Sequence, residues 1–130
     1  MISDFIKNRL KAFKYAFEGI SELWRKEPNT RVHMFFTVAV ILMAFLLKVS
    51  TAEFALLILT IGVVWGMETI NSSIERVVDL VTLDKKPLAK AAKDLAAGAV
   101  LITAIASVVI GLIIFLPKLI KLFVLNFSSL

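Results

Sequence analysis

Five polar residues fall within the short stretch from 68 to 79: Glu68, Asn71, Ser72, Glu75 and Asp79. On a helix turning about 100° per residue they occupy one face, in a sector of roughly 100°. They directly follow a charge-free run of 14 residues, Phe54 to Met67, and a helix needs roughly 20 apolar residues to cross a bilayer. If this run crosses, Glu68 and Asn71 are drawn inside the membrane boundary. A carboxylate there costs roughly 3 kcal/mol even on mild insertion scales, so it faces a bundle interior or a watered cavity and marks function. Oxygen donors in such a stripe suit a hard divalent cation.

Other segments bring complementary groups to the same membrane face. Lys90, Lys93 and Asp94 lie in the turns leading into the last apolar run, level with Glu75. Lys93 is a candidate phosphate ligand, against the simpler reading of a snorkelling lysine. Glu27 is either a solvated helix-end residue or a further carboxylate for the site, and His33 reads as an interfacial or packing histidine. No phosphate-binding glycine loop, no Gly-x-Gly-x-x-Gly and no His-Glu-x-x-His is present, which argues against a soluble-type nucleotidase or metalloprotease. These residues supply cation and phosphate binding without naming a reaction.

The elements that must position them are membrane helices. The chain is 59% hydrophobic with a mean hydropathy of +0.89, more than one soluble domain of 130 residues absorbs in its core. Three runs lack charge: Val32 to Leu47, Phe54 to Met67 and Leu95 to Pro117, of 16, 14 and 23 residues. The expected fold is an all-α membrane protein forming one membrane domain. A surface helix over 1–29 precedes spans at 32–48, 53–73 and 95–117. A cytoplasmic segment at 75–94 joins the last two spans, and an outward tail covers 118–130. In the first segment Ile6, Leu10, Phe13, Phe17, Ile20 and Trp24 recur at steps of four and three opposite Lys7, Lys11 and Lys14, the pattern of an amphipathic helix lying in the interface. Glu27-Pro28-Asn29 should break that helix, and Pro117 should end the third span. The small residues after Asp94, Leu-Ala-Ala-Gly-Ala, suit close approach between membrane helices.

Lys and Arg set the orientation. Seven precede the first span, one is Lys48, five lie between Arg76 and Lys93 and two follow the third span. Twelve of 15 thus share one side, which makes the N-terminus and the second connection cytoplasmic and the tail external. The net charge of +5 is explained by topology and the lipid bilayer, with no nucleic-acid partner needed. The first 31 residues are charged throughout, so no cleavable signal is visible and the first span is expected to insert itself. Cysteine is absent, which leaves any metal to carboxylates.

The run Glu68-Thr-Ile-Asn-Ser-Ser-Ile-Glu-Arg-Val-Val-Asp79, followed by Ala92-Lys-Asp-Leu-Ala-Ala-Gly-Ala-Val100, resembles the small prokaryotic diacylglycerol kinase and undecaprenol kinase family. Lys14-Tyr-Ala-Phe-Glu-Gly19 and Glu27-Pro-Asn-Thr-Arg31 extend the likeness upstream. The resemblance implies an ATP-dependent kinase of a membrane lipid hydroxyl, a homotrimer in the bacterial cell membrane, using Mg²⁺. It implies that Glu68 is the catalytic base and that Glu27 and Glu75 hold the cation with ATP. Tyr15, Asn71, Asp84, Lys85, Lys86, Lys93 and Asp94 fall where nucleotide contacts occur, and Glu68 with Arg31 where the lipid is bound. Arg9 stands one residue off the expected basic contact. Phosphoryl transfer is mainly positioning and charge stabilisation, so carboxylates, a cation and a lysine suffice for it.

The sequence Glu27-Pro-Asn-Thr-Arg-Val-His33 looks more like the undecaprenol branch, because the diacylglycerol branch tends to carry an acidic residue at the position of His33. Two other readings compete: a non-enzymatic membrane subunit, and an ion or proton pathway. A pathway needs polar groups across the bilayer, whereas here they gather at one face. A packing role leaves Glu27, Glu75 and Lys93 without a common purpose.

Overall fold

The computed structural model describes residues 2–27 and 29–127. Within them the chain forms four helices: α1 (Ile2–Lys26), α2 (Asn29–Leu46), α3 (Thr51–Val81) and α4 (Pro87–Phe127). Of these, α2, α3 and α4 are long and apolar enough to cross a membrane. The apolar stripe of α1, including Phe13, Phe17 and Trp24, is exposed, and Leu23 alone of its described residues is buried.

Each helix boundary has a local cause. The α1–α2 corner is closed by Thr30, whose backbone N–H donates to Glu27 O at 3.2 Å and whose hydroxyl donates to Leu23 O at 3.3 Å. Leu23 and Thr30 are both buried, so the corner carries Glu27 on a packed joint; Pro28 lies outside the described residues. At its other end α2 stops in a left-handed cap at Lys48, φ 50°. Lys48 N donates to Phe45 O at 3.2 Å and Val49 N to Ala44 O at 3.1 Å, which satisfies two of the carbonyls a helix end leaves open. Ser50 then caps α3 in a reciprocal box: Glu53 N donates to Ser50 Oγ at 3.3 Å, and Ser50 N to Glu53 Oε2 at 2.6 Å.

The helix that carries the third span does not stop at Pro117. Helix α4 passes through that residue to Phe127. Proline removes one intrahelical hydrogen bond and normally deters helix in the preceding residue. Here the apolar sequence continues past it, and Lys118 Nζ reaches Glu53 Oε2 at 3.0 Å, tying the continuation to the start of α3. The part of the 118–130 tail at Ser128–Leu130 lies outside the described residues. Within the 75–94 segment the non-helical connection is short, since α3 runs to Val81 and α4 begins at Pro87.

Helices α3 and α4 form the main packed pair. The apolar core is small and lies toward the α2–α3 turn, where Ala44, Leu57, Ile114 and Phe115 meet. Beyond it, Leu23 and Ala96 are the other buried hydrophobics. A side-chain carbon added at Gly98 would meet no neighbouring atom within 4 Å, so the small residues entering α4 are not used for close approach at that point within one chain. Among the described residues, the polar side chains buried at the opposite end from this core are Thr30 on α2 and Glu68, Asn71 and Ser72 on α3.

Candidate functional site

One face of α3 builds the site. Glu68, Asn71 and Ser72 are buried although all three are polar, because the register that sends Leu57 into the core turns the same side of the helix inward along its length. Glu68 is 4% exposed at its side chain, and its Oε2 lies 3.7 Å from Nε2 of His33 on α2. The His33 ring tilts at 58° to Trp65 with centroids 6.2 Å apart. Trp65 is itself fixed by Nε1 donating to Thr37 Oγ1 at 3.0 Å. One turn further along α3, Asn71 Nδ2 donates to Glu75 Oε1 at 3.2 Å. Its Oδ1 is buried with no hydrogen-bond partner. An amide oxygen left in that state costs about 1–3 kcal/mol, and a cation, or an N–H or O–H donor from a ligand, would relieve it.

Two ion pairs join other helices to this face. Arg76 Nη2 donates to Glu27 Oε1 at 3.2 Å, which brings the corner carboxylate beside the helical turn that carries Glu75. Lys93 Nζ donates to Asp79 Oδ1 at 2.6 Å, setting the first turns of α4 against the end of α3. Lys90 pairs with Asp94 along α4. The remaining expected contacts stay apart from this cluster. Tyr15 is exposed on α1, Arg31 is exposed on α2, and Asp84, Lys85 and Lys86 are exposed in the α3–α4 loop. That loop is held by Asp84 N donating to Thr82 Oγ1 at 3.1 Å and Lys86 N to Asp84 O at 2.8 Å. Arg9 lies over the ring of Phe5 at 5.0 Å.

The fit to a divalent cation is local. Among the described residues no three His, Cys, Asp or Glu side chains gather as a ligand set. Mg²⁺ is usually bound by only one or two carboxylates completed by substrate phosphates and water. Glu75 with the unpaired Asn71 oxygen fits that pattern, while Glu27 holds Arg76 through Oε1 and keeps its second oxygen for a cation.

An apolar cavity of about 640 Å³ lies between α2, α3 and α4, within the range of about 300–1,000 Å³ typical of small-molecule sites. Its polar end is His33 with Trp65, and it extends past Met43 and Ile61 to Phe115 and Leu119. Sequence reasoning missed two partners here. In sequence His33 reads as an interfacial or packing histidine, and nothing assigns the Arg76 guanidinium to Glu27. The Arg76 signal was present, since it adjoins Glu75 in the motif, but the His33–Glu68 pair spans 35 positions with no local signature.

The family model described as prokaryotic diacylglycerol kinase matches residues 14–115. An undecaprenol kinase of Bacillus subtilis (strain 168) is 47% identical over 109 residues, covering 84% of this chain and 89% of that protein. A diacylglycerol kinase of Synechocystis is 45% identical over 118 residues, covering 90% and 67% respectively. The Escherichia coli K12 diacylglycerol kinase is 32% identical over 100 residues, covering 77% and 82%.

Proposed function

The chain belongs to the prokaryotic diacylglycerol kinase family, and from that premise we propose that it transfers the γ-phosphate of ATP to the primary hydroxyl of undecaprenol in a bacterial cell membrane. The observation that carries this reading is the buried Glu68 carboxylate 3.7 Å from His33, which itself lines an apolar cavity. A lipid chain in that cavity presents a terminal hydroxyl where a carboxylate can accept its proton. The hydroxyl oxygen then bonds to the γ-phosphorus as the bond to the bridging oxygen breaks and its electron pair leaves with ADP.

The other residues position the nucleotide. Glu75, Asn71 and Glu27 would hold Mg²⁺, which would neutralise charge on the phosphates. Lys93 exchanges Asp79 for phosphate, and Asp94, Tyr15, Asp84, Lys85 and Lys86 complete the nucleotide contacts from α1, α4 and the loop. Arg31 stands at the interface for the lipid. The N-terminus and the α3–α4 loop are cytoplasmic and the C-terminus is external, with α1 lying on the inner surface. Three subunits assemble, as the family likeness implies, and neighbouring subunits complete a nucleotide site whose Tyr15, Asp84, Lys85 and Lys86 are exposed in one chain.

The same geometry serves a diacylglycerol, whose hydroxyl is also primary, and relatives named diacylglycerol kinase favour that second reading. Purified protein with ATP and Mg²⁺, assayed against undecaprenol and diacylglycerol in parallel, decides between them. Faster turnover of undecaprenol supports the proposal, faster turnover of diacylglycerol replaces it with the second reading, and phosphorylation of neither by a folded preparation overturns both.

A further inference from the structure

We propose that His33 is the positioning residue of Glu68, its imidazole directing the carboxylate at the acceptor hydroxyl and taking over the proton that the carboxylate collects; this rests on the lipid-kinase reading. The two groups come from different helices and meet in a site nearly closed to water: their side chains are 20% and 4% exposed, with Nε2 and Oε2 3.7 Å apart. That separation is longer than a hydrogen bond, and catalytic contacts in unliganded sites are often long until substrate arrives. The imidazole is also braced. Trp65 backs it with a tilted ring, and the bond from Trp65 Nε1 to Thr37 Oγ1 returns the brace to α2, so His33 and Glu68 are held by the same pair of helices.

The proton balance gives this arrangement a task. Each turnover leaves the acceptor's hydroxyl proton on Glu68, and a carboxyl in a near-dry site has few ways to lose it. Neutral His33, protonated at Nδ1, offers an Nε2 lone pair to that proton. The imidazolium so formed then loses a proton to water at the interface, and both side chains return to their starting state. Glu68 of α3 is the titratable partner recorded for His33. From α4, the cavity wall beside it is Ala104, Ser107 and apolar residues. The described α1–α2 joint is the Leu23–Thr30 contact, and Glu27 at that corner pairs with Arg76 of α3.

His33→Gln and His33→Phe in the full-length protein test the idea, assayed with ATP, Mg²⁺ and undecaprenol across pH. The first keeps a hydrogen-bonding side chain that does not titrate, and the second keeps a ring against Trp65. Each should lower kcat about 10-fold or more while the KM for ATP stays within about twofold. Each should also erase one step from the pH profile of kcat, and neither should slow a Glu68→Gln background further. Retention of parental rate and profile by either folded variant overturns the proposal, as does full additivity with Glu68→Gln. His33 is the chain's one histidine, so its imidazole resonances are unambiguous in an isotope-labelled sample. Their titration midpoint should change on Glu68→Gln, and an unmoved midpoint overturns the pairing. That readout needs neither turnover nor a His33 variant. Parental protein that phosphorylates no lipid sinks the kinase reading separately, and the midpoint then decides the pairing alone.

Discussion

Replacing Glu68 by Gln removes one negative charge and a proton-accepting oxygen while keeping the side-chain length. General-base losses run at about 10²–10⁴ in rate, equivalent to about 2.7–5.5 kcal/mol of transition-state stabilisation. The lower end is expected to be the minimum, since Glu68 is nearly fully buried and stands 3.7 Å from His33 on the neighbouring helix. Affinity for ATP should hold, because the Asn71–Glu75 bond and the Glu27–Arg76 pair do not pass through Glu68. Stability should hold or rise, since an amide costs less to bury than a carboxylate with one loose partner. Radiolabelled phosphate transfer gives kcat and KM, and thermal unfolding in micelles gives stability. A Glu68→Gln protein that assembles, binds ATP and phosphorylates lipid within a fewfold of the parent refutes the base assignment and moves attention to Glu75 or Asp94.

Glu75→Gln and Glu27→Gln should each raise the Mg²⁺ concentration needed for half-maximal rate with the helical fold intact by circular dichroism; unchanged Mg²⁺ dependence in either removes it from the cation site. Lys93→Ala should raise the KM for ATP about 10-fold, whereas the lost pair with Asp79, both side chains about 40% exposed, should cost under about 1 kcal/mol of stability. Comparing nucleotide titration with melting separates the two effects. Lys48→Gly should stabilise the detergent-solubilised protein by about 0.5–1 kcal/mol, because glycine adopts the left-handed cap without the steric cost a side chain meets there, and a lowered melting midpoint would count against that strain. Cysteine placed at Ser50 should label from outside intact cells and cysteine at Leu83 only after permeabilisation; the reverse pattern inverts the topology.

Hydropathy and helix-stop chemistry made the apolar helices and the corner at Glu27 legible in the sequence, because bilayer length and proline sterics act locally. The polar face of α3 was equally legible, since helical register alone puts Glu68, Asn71 and Glu75 together. What stayed hidden depends on neighbours. Pro117 reads as a stop by its own sterics, but the Lys118–Glu53 pair that accompanies the helix beyond it joins residues 65 positions apart. Likewise, nothing near Lys93 names Asp79 as its partner, and nothing near His33 names Glu68. These pairings follow from how α2 and α4 settle against α3, which no window of sequence contains.

With 31 residues, α3 is about 46 Å long at about 1.5 Å per residue, well beyond the roughly 30 Å of hydrocarbon it crosses. Glu68 and Glu75 ride on this one rod, about 10 Å apart along its axis. That spacing is fixed by covalent geometry, whereas the height at which a lipid hydroxyl floats is set by the surrounding leaflet. Thickening or thinning the bilayer therefore slides the acceptor past a stationary ruler, and phosphorylation rates should pass through an optimum as phospholipid chain length is varied, with nucleotide binding indifferent to it.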